Sequence, residues 1–336
     1  MIKKAIRSVA GIIAALYLFF VVMLPLPVLA VAYILINPIN DILYLKIACF
    51  VQGSFIVNIT FCLEKLTGIQ FRMTGTRPPR EPALVLSNHL THDWVHIYSN
   101  AIRNNTLGSV RTVIKDAIKM VPGFGQAMIL TKWPFVSRDF KKDEKTLHDL
   151  FSLYTRAKLP VQLWIFPEGT RMTPKKLASS QKYAEEKGYP VWKHVMLPRH
   201  RGFITALNSL NGIVKYIHET TIQYEGWTNS KGVDKIPGIG DLINTNGNYK
   251  HVLHFHMNRV SVTDIPLDDE GRQKYLQECF ARKEALLEHY SKHKQFPGEN
   301  LAKKLSTAEV LIHVVGWFVG SIVLLFLYIN IFNALF

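Results

Sequence analysis

Cysteine is nearly absent from this chain of 336 residues: Cys49, Cys62 and Cys279 make an odd count, with no spacing that suggests a zinc site or a disulfide framework. There is no G-x-S-x-G elbow and no phosphate-binding G-x-x-x-x-G-K-[ST] loop, so neither serine hydrolysis nor nucleoside triphosphate use finds support. Internal repeats and low-complexity tracts are missing too, which argues against a solenoid or a linker-rich architecture. Acid is scarce: 25 Asp and Glu stand against 40 Lys and Arg, a net charge of +15 with histidines neutral. A surplus of that size implies anionic partners, namely nucleic acid, an acidic membrane surface or phosphorylated substrates. No charge of either sign occurs from Ser8 to Asn40.

That last absence points to a membrane. Val9 to Ile36 is an apolar run of 28 residues, longer than the roughly 20 needed to cross a bilayer as a helix. Pro25 and Pro27 should kink or break it. Its length, and the lack of a small-x-small exit, favour an uncleaved anchor over a signal peptide. Ile47 to Leu63 is a second, shorter uncharged run containing Gln52 and Asn58, read as embedded or interfacial, and Val310 to Phe336 is a third. Lys3, Lys4 and Arg7 precede the first run, and Lys292, Lys294, Lys303 and Lys304 precede the last. Basic flanks stay on the cytosolic side, so the first two runs cross twice or re-enter together, turning at Asn37 to Asp41, and the middle of the chain faces the cytosol. The expected organisation is a membrane-embedded segment at 1–68, a cytosolic domain at 69–305 and a C-terminal transmembrane helix at 306–336. Basic residues scattered between anchors, without a recognisable binding module, argue against nucleic acid as the partner.

In the middle part, buried-strand patterns at Ala83–Ser87, Leu159–Phe166, His194–Pro198 and Tyr249–Val262 alternate with helical stretches at Trp94–Ala101, Lys142–Arg156, Ser179–Lys187 and Asp268–His289. Such alternation predicts an α/β domain, a central, mostly parallel sheet flanked by helices. Polar clusters follow the strands, where open α/β sheets place their sites. "NHLTHD" (Asn88–Asp93) follows the first: His89 and Asp93, four apart, either pair as a base with its orienting acid or simply decorate a helix start. "FPEGTR" (Phe166–Arg171) follows the second. Gly169 permits close backbone approach, Thr170 offers a hydroxyl, Arg171 a planar fork for phosphate, and Glu168 holds either that arginine or a substrate hydroxyl; the plain alternative is a β-turn with a surface ion pair. Arg138 and Arg199, the latter in "LPRHRGF" (Leu197–Phe203), are weaker anion-binding candidates. His254 and His256 share a strand face, but no third ligand or carboxylate stands near, and no metal site is expected.

Asn88-His89 with Asp93, the Pro122-Gly123-Phe124-Gly125 segment running to Arg138, "FPEGTR" and "LPRHRGF" occur in the order of the four motif blocks of the glycerophospholipid (PlsC-like) acyltransferases. Over about residues 70 to 290 the chain resembles that family. It looks closest to the eukaryotic branch holding lysophosphatidic acid, lysophosphatidylinositol and lysocardiolipin acyltransferases. The resemblance implies transfer of a fatty acyl chain from acyl-CoA, a co-substrate, to the free hydroxyl of a lysophospholipid, with no further cofactor, at the endoplasmic reticulum bilayer. It implies His89 and Asp93 as catalytic residues, and Glu168, Gly169, Thr170, Arg171, Arg138 and Arg199 as substrate-binding ones. One departure stands out: the family motif is N-H-x4-D, whereas here His89 and Asp93 are separated by only three residues. A regular helix beginning directly after His89 would still bring Asp93 alongside; a less regular turn would leave it pointing away. The shortened motif therefore keeps a second expectation open, a membrane pseudoenzyme or lipid-binding scaffold.

Overall fold

The structure is a computed structural model describing residues 16–17, 23, 25–137, 139–210, 212–227, 235–243 and 251–335. Most of the first apolar run lies outside the described residues. Its end forms helix α1 (Pro25–Leu35), which carries both prolines. The turn at 36–40 leads into α2 (Asp41–Thr60), capped by Asn40, whose Oδ1 accepts from the Leu43 N–H at 2.9 Å. A π-helical turn, Phe61–Leu66, continues it.

Next come β1 (Gln70–Gly75), β2 (Ala83–Ser87), α3 (Trp94–Arg103), β3 (Val110–Thr112), β4 (Ile114–Lys115), α4 (Phe124–Leu130), β5 (Phe135–Val136), α5 (Phe140–Arg156) and β6 (Gln162–Ile165). They are followed by α6 (Pro174–Lys187), α7 (His200–Ser209), β7 (Tyr216–Glu225), α8 (Ile239–Ile243), β8 (Val252–Ser261), α9 (Asp269–His293) and α10 (Thr307–Leu335). Six strands form one sheet in the order β1-β8-β7-β2-β6-β3, parallel throughout except for the antiparallel β7–β8 pair. β4 and β5 form a separate two-stranded parallel ladder.

β2 and β6 are buried along their whole length because both sheet faces are covered, as expected of parallel strands. On one face Leu84, Leu86, Leu163 and Ile165 pack with Phe151 and Tyr154 of α5, Phe203 and Leu207 of α7, and Leu276 and Phe280 of α9. On the other, Val85 and Trp164 pack with Val95 and Ile97 of α3 and with Phe255 and Met257 of β8. The expected α/β class is present, and the two central strands fall inside the predicted spans.

Three expectations need correction. His194–Pro198 is not a strand: Lys193, His194 and Val195 donate their N–H groups to the Glu284 carboxylate at 2.7, 2.8 and 3.2 Å. Met196 and Leu197 donate theirs to Glu168 and Ser180 side chains at 2.9 Å each. Side-chain acceptors have taken the donors a neighbouring strand would use. "LPRHRGF" accordingly does not follow a strand but runs into the start of α7, with Arg199 at its N-cap. Finally, β1, β3, β4, β5 and β7 were not anticipated.

Among the described residues, two helices are long and apolar enough to cross a membrane, Asp41–Leu66 and Val310–Asn330. The first is 56% buried against the domain, the second 17%. One side of α2 is thus part of the domain's packing. Gln52 Nε2 donates to the Val110 carbonyl at 2.9 Å, and a Cβ on Gly108 would lie 2.1 Å from the Cys49 carbonyl oxygen, so only glycine admits this approach. Val57 of α2 packs with Val310 and Val314 of α10.

Candidate active site

The polar loops after β2 and β6 meet at the C-terminal ends of these adjacent strands. Asn88 extends the β2–β7 pairing past the strand end: its side-chain oxygen accepts from Ile222 N–H at 2.9 Å while its amide donates to Ile222 O at 3.1 Å. That fixes where the next residue leaves the sheet. His89 Nδ1–H then donates to Asp93 Oδ2 at 2.6 Å, and the same oxygen accepts the Leu90 N–H at 3.0 Å. A ring nitrogen facing a carboxylate carries the proton, so the neutral imidazole keeps its lone pair on Nε2. The ring stacks on Phe166, centroids 4.3 Å apart, which orients it further.

No regular helix starts after His89. Residues 88–93 form an irregular turn, α3 begins at Trp94, and His92 lies in the left-handed region at φ 59°. This conformation folds the chain back far enough for Asp93 to reach the imidazole despite the missing residue. Irregularity brings the acid in here instead of turning it away. The cost is about 1–2 kcal/mol for a non-glycine residue. Tyr224 Oη, donating to Thr91 O at 2.6 Å, helps hold the turn.

Glu168 is turned inward and is 3% exposed. Oε2 accepts the His89 N–H at 2.5 Å and Oε1 the Met196 N–H at 2.9 Å. It therefore braces the histidine loop against the 194–198 loop, with no hydrogen bond to Arg171. Burial pushes its carboxyl up to about 8, although the two N–H donors act in the opposite sense. Burial likewise raises the carboxyl of Asp93 above the usual carboxylate range, outweighing the His89 hydrogen bond. Behind both, the buried Lys283 ammonium donates to Leu86 O at 3.0 Å and Thr220 O at 2.5 Å, tying α9 to the ends of β2 and β7.

His89 lines a cavity of ≈ 1120 Å³, together with Phe166, Glu168, Gly169, Thr170 and Arg199. Val113, Val136, Leu147, Phe203 and Ala206 supply apolar wall; Lys115, Lys176 and Arg201 add positive charge. Gly169, at φ 70°, turns the loop so that its Cα passes the Arg199 side chain; a Cβ there would lie 3.3 Å from Cδ. The Thr170 hydroxyl accepts from Lys176 Nζ at 2.5 Å. Arg171 is exposed and not among the cavity-lining residues, though its charge helps hold the His92 pKa below the ordinary histidine value, second to burial. Arg138 lies outside the described residues. His254 and His256, on β8, are hydrogen-bonded to Glu225 and Thr74, away from the cavity.

The structure thus gathers His89, Asp93, Glu168, Gly169, Thr170 and Arg199 at one place, and sets Arg171 outside the cavity. Three features were missed in the sequence. Lys176 sits five positions beyond the motif arginine and looks like an ordinary surface lysine of α6. The stacking role of Phe166 and the left-handed His92 have no signal in composition or periodicity.

A carboxylate-held imidazole at the wall of a large cavity, beyond the ends of parallel strands, is an arrangement that can take a proton from a bound group. The chain belongs to the acyltransferase family. The family pattern described as "Acyltransferase" matches residues 68–214, and "Acyltransferase C-terminus" matches residues 246–317. Among curated relatives, 1-acyl-sn-glycerol-3-phosphate acyltransferase epsilon of Mus musculus is 32% identical over 75% of this chain and 72% of its own length. Probable 1-acyl-sn-glycerol-3-phosphate acyltransferase 5 of Arabidopsis thaliana is 29% identical over 80% and 69%. Lysocardiolipin acyltransferase 1 of Danio rerio is 29% identical over 68% and 58%. The crystal structure of the PlsC 1-acyl-sn-glycerophosphate acyltransferase from Thermotoga maritima overlays with a TM-score of 0.42 at 15% identity, covering 84% of this chain and 98% of that one.

Proposed function

We propose that this acyltransferase moves a fatty acyl chain from acyl-CoA to the free hydroxyl of a lysophospholipid. The observation that carries the reading is the 2.6 Å His89–Asp93 contact at the wall of the cavity. Nε2 of His89 takes the acceptor's hydroxyl proton as its oxygen attacks the thioester carbonyl. The C–O bond forms, the C–S bond breaks, and the departing thiolate leaves as the free thiol with the proton the imidazolium returns. Asp93 stabilises that imidazolium. General base catalysis of this kind is worth roughly 10² to 10⁴ in rate. No acyl-enzyme intermediate is required: Cys49, Cys62 and Cys279 are all buried.

Arg199, with Gly169 and Thr170, is assigned to the phosphates of donor or acceptor; Arg171 and Arg138 would serve phosphates approaching from outside the cavity. The names of the relatives support a lysophospholipid acceptor bearing phosphate, and the net charge of +15 suits both anionic substrates. The two long apolar helices support anchorage in the bilayer that holds the acceptor; we assign that membrane to the endoplasmic reticulum, with the catalytic domain in the cytosol. The intact His–Asp contact supports an enzyme over the scaffold that the shortened motif also allowed.

The test uses membranes containing wild type or His89→Ala, labelled oleoyl-CoA, and lysophosphatidic acid, lysophosphatidylinositol or lysophosphatidylcholine. Product is expected from wild type with an anionic acceptor, and a loss of about 10²-fold or more in His89→Ala. Absence of product from folded wild type with every acceptor would refute the reading.

A further inference from the structure

The chain between β4 and β5 makes an excursion that leaves the cavity wall and returns to it. Lys115, at the end of β4, and Val136, at the end of β5, are ladder partners and both line the cavity. Between them the chain raises an apolar crest. Met120 is 81% exposed and Phe124 53%, with Val121 and Ile129 also exposed. A folded domain does not present four large apolar side chains together on one short excursion without something to cover them.

The surroundings identify the cover. The crest is docked beside α1, whose Val28, Val31, Ile34 and Leu35 are exposed, and Met23 lies against Gly123. Tyr44 of α2 donates from its hydroxyl to Leu130 O at 2.6 Å, closing the far side. The crest is therefore continuous with the apolar helices. At its base lies a band of another chemistry. The Lys132 ammonium sits over Tyr33 and Tyr44, 4.8 and 5.5 Å from the ring centroids. Trp133 donates from Nε1 to Gln52 at 3.2 Å, and Lys119 lies 5.0 Å over the Phe135 ring. Tyr33, Trp133 and lysine stems laid along aromatic rings thus flank the bare apolar side chains, a combination that proteins use at the headgroup boundary of a bilayer.

We propose that the 119–133 crest inserts into the bilayer at the headgroup–acyl boundary, and so holds the Lys115–Val136 side of the cavity at the depth where a lysophospholipid's headgroup resides. The bilayer is the single occupant of this surface. The part concerning the entrance rests on the acceptor reading above; the insertion itself does not. In this arrangement the acceptor slides from the monolayer past the ladder towards His89, without leaving lipid for water.

The experiment uses full-length protein in vesicles of phosphatidylcholine with phosphatidylserine. A fluorophore placed through Met120→Cys is compared with one through Lys187→Cys, at the exposed end of α6; the three native cysteines are buried and stay unlabelled. Nitroxide carried on the lipid chains should quench the label at position 120 several-fold more than that at 187, and aqueous iodide should do the reverse. Equal quenching at the two positions, or protection of position 120 from both quenchers because the chain's own N-terminal residues cover it, overturns the insertion. In parallel, the Met120→Asp/Phe124→Asp double variant should transfer acyl chains to a long-chain lysolipid in the bilayer about tenfold more slowly, with an unchanged rate on a short-chain, water-soluble acceptor. Equal loss on both acceptors, or on neither, overturns the entrance role. Lipid quenching without acyl transfer by wild type would sink the functional reading and leave the insertion standing.

Discussion

Asp93→Asn should make the protein's stability less sensitive to pH and its activity far lower. In the folded chain Asp93 Oδ2 serves both the His89 imidazole and the Leu90 N–H, while Oδ1 is buried with no hydrogen-bond partner. An asparagine can set its carbonyl oxygen where Oδ2 lies and keep both bonds, turning its NH2 to the Oδ1 position. There the amide leaves an unmet donor, a cost of roughly 1–3 kcal/mol. Against that, the substitution removes a charge that burial disfavours. Asp93's folded pKa is raised above its unfolded value, so the unfolded chain ionises first. Stability is therefore present below the ordinary carboxylate pKa and falls as pH rises through the raised one. At neutral pH this penalty is in force, and the two effects oppose each other.

Activity loses what stability does not. An imidazolium and a carboxylate with charge centres about 4 Å apart attract by roughly 4 kcal/mol at an effective dielectric constant near 20. Most of that arises only as His89 becomes charged during the transfer, so it should appear as a fall of about 10²- to 10³-fold in kcat. The assay is acyl transfer at saturating substrates, with thermal unfolding at pH 5 to 8 on the same samples. Wild type should lose stability relative to Asp93→Asn as pH rises. A variant that keeps more than a tenth of the wild-type kcat would refute Asp93 as the group that stabilises the imidazolium. A large, pH-independent drop in Tm would refute the exchange of charge for an amide without rearrangement.

Three further outcomes follow from the braces around the pair. His92→Val should destabilise the fold by about 1–2 kcal/mol and cut kcat, because a β-branched side chain resists the left-handed conformation, while His92→Gly should keep activity; chemical denaturation with parallel rate measurements checks both. Glu168→Gln sets an amide NH2 against one of two backbone N–H donors, costing about 1–3 kcal/mol. Because the Glu168 pKa is raised to about 8, wild type should lose stability between roughly pH 4.5 and 8 from this group, and the glutamine variant should show a flatter profile in a series of Tm measurements. Gly169→Ala, forced to φ 70° and against Arg199, should raise KM for the substrate whose phosphate we assign to Arg199 and leave kcat less affected, as read from steady-state kinetics.

The elements that sequence reading located are those whose burial shows in their own residues. Ala83–Ser87 and Gln162–Ile165 are buried on both faces and apolar throughout, or nearly so, and α5 and α9 carry their apolar positions at helical spacing. β7 shows the opposite case. It is buried over most of its length, yet it reads "YIHETTIQYE". His218 and Arg259 share Glu81, Glu219 is held by Arg282 and by Tyr275, and Thr220 donates its hydroxyl to Leu86 O. Each of these partners comes from a distant stretch of chain, so the burial of a polar strand was invisible in the strand itself.

The site divides along the same line. Which residues would meet was legible, because His89, Asp93 and the Phe166–Arg171 loop each follow a recognisable buried strand. How they meet was not. The reach of Asp93 depends on the backbone angle of His92, and the placement of His89 depends on a glutamate that the sequence suggested for substrate. Glu168 grips one backbone N–H from each of two loops, and Glu284 grips three from the second of them. Carboxylates facing backbone donors do here what a further sheet strand would do elsewhere. They let the two site loops stay irregular, and an irregular turn is what brings an acid one residue short of the family spacing within hydrogen-bonding distance of its base.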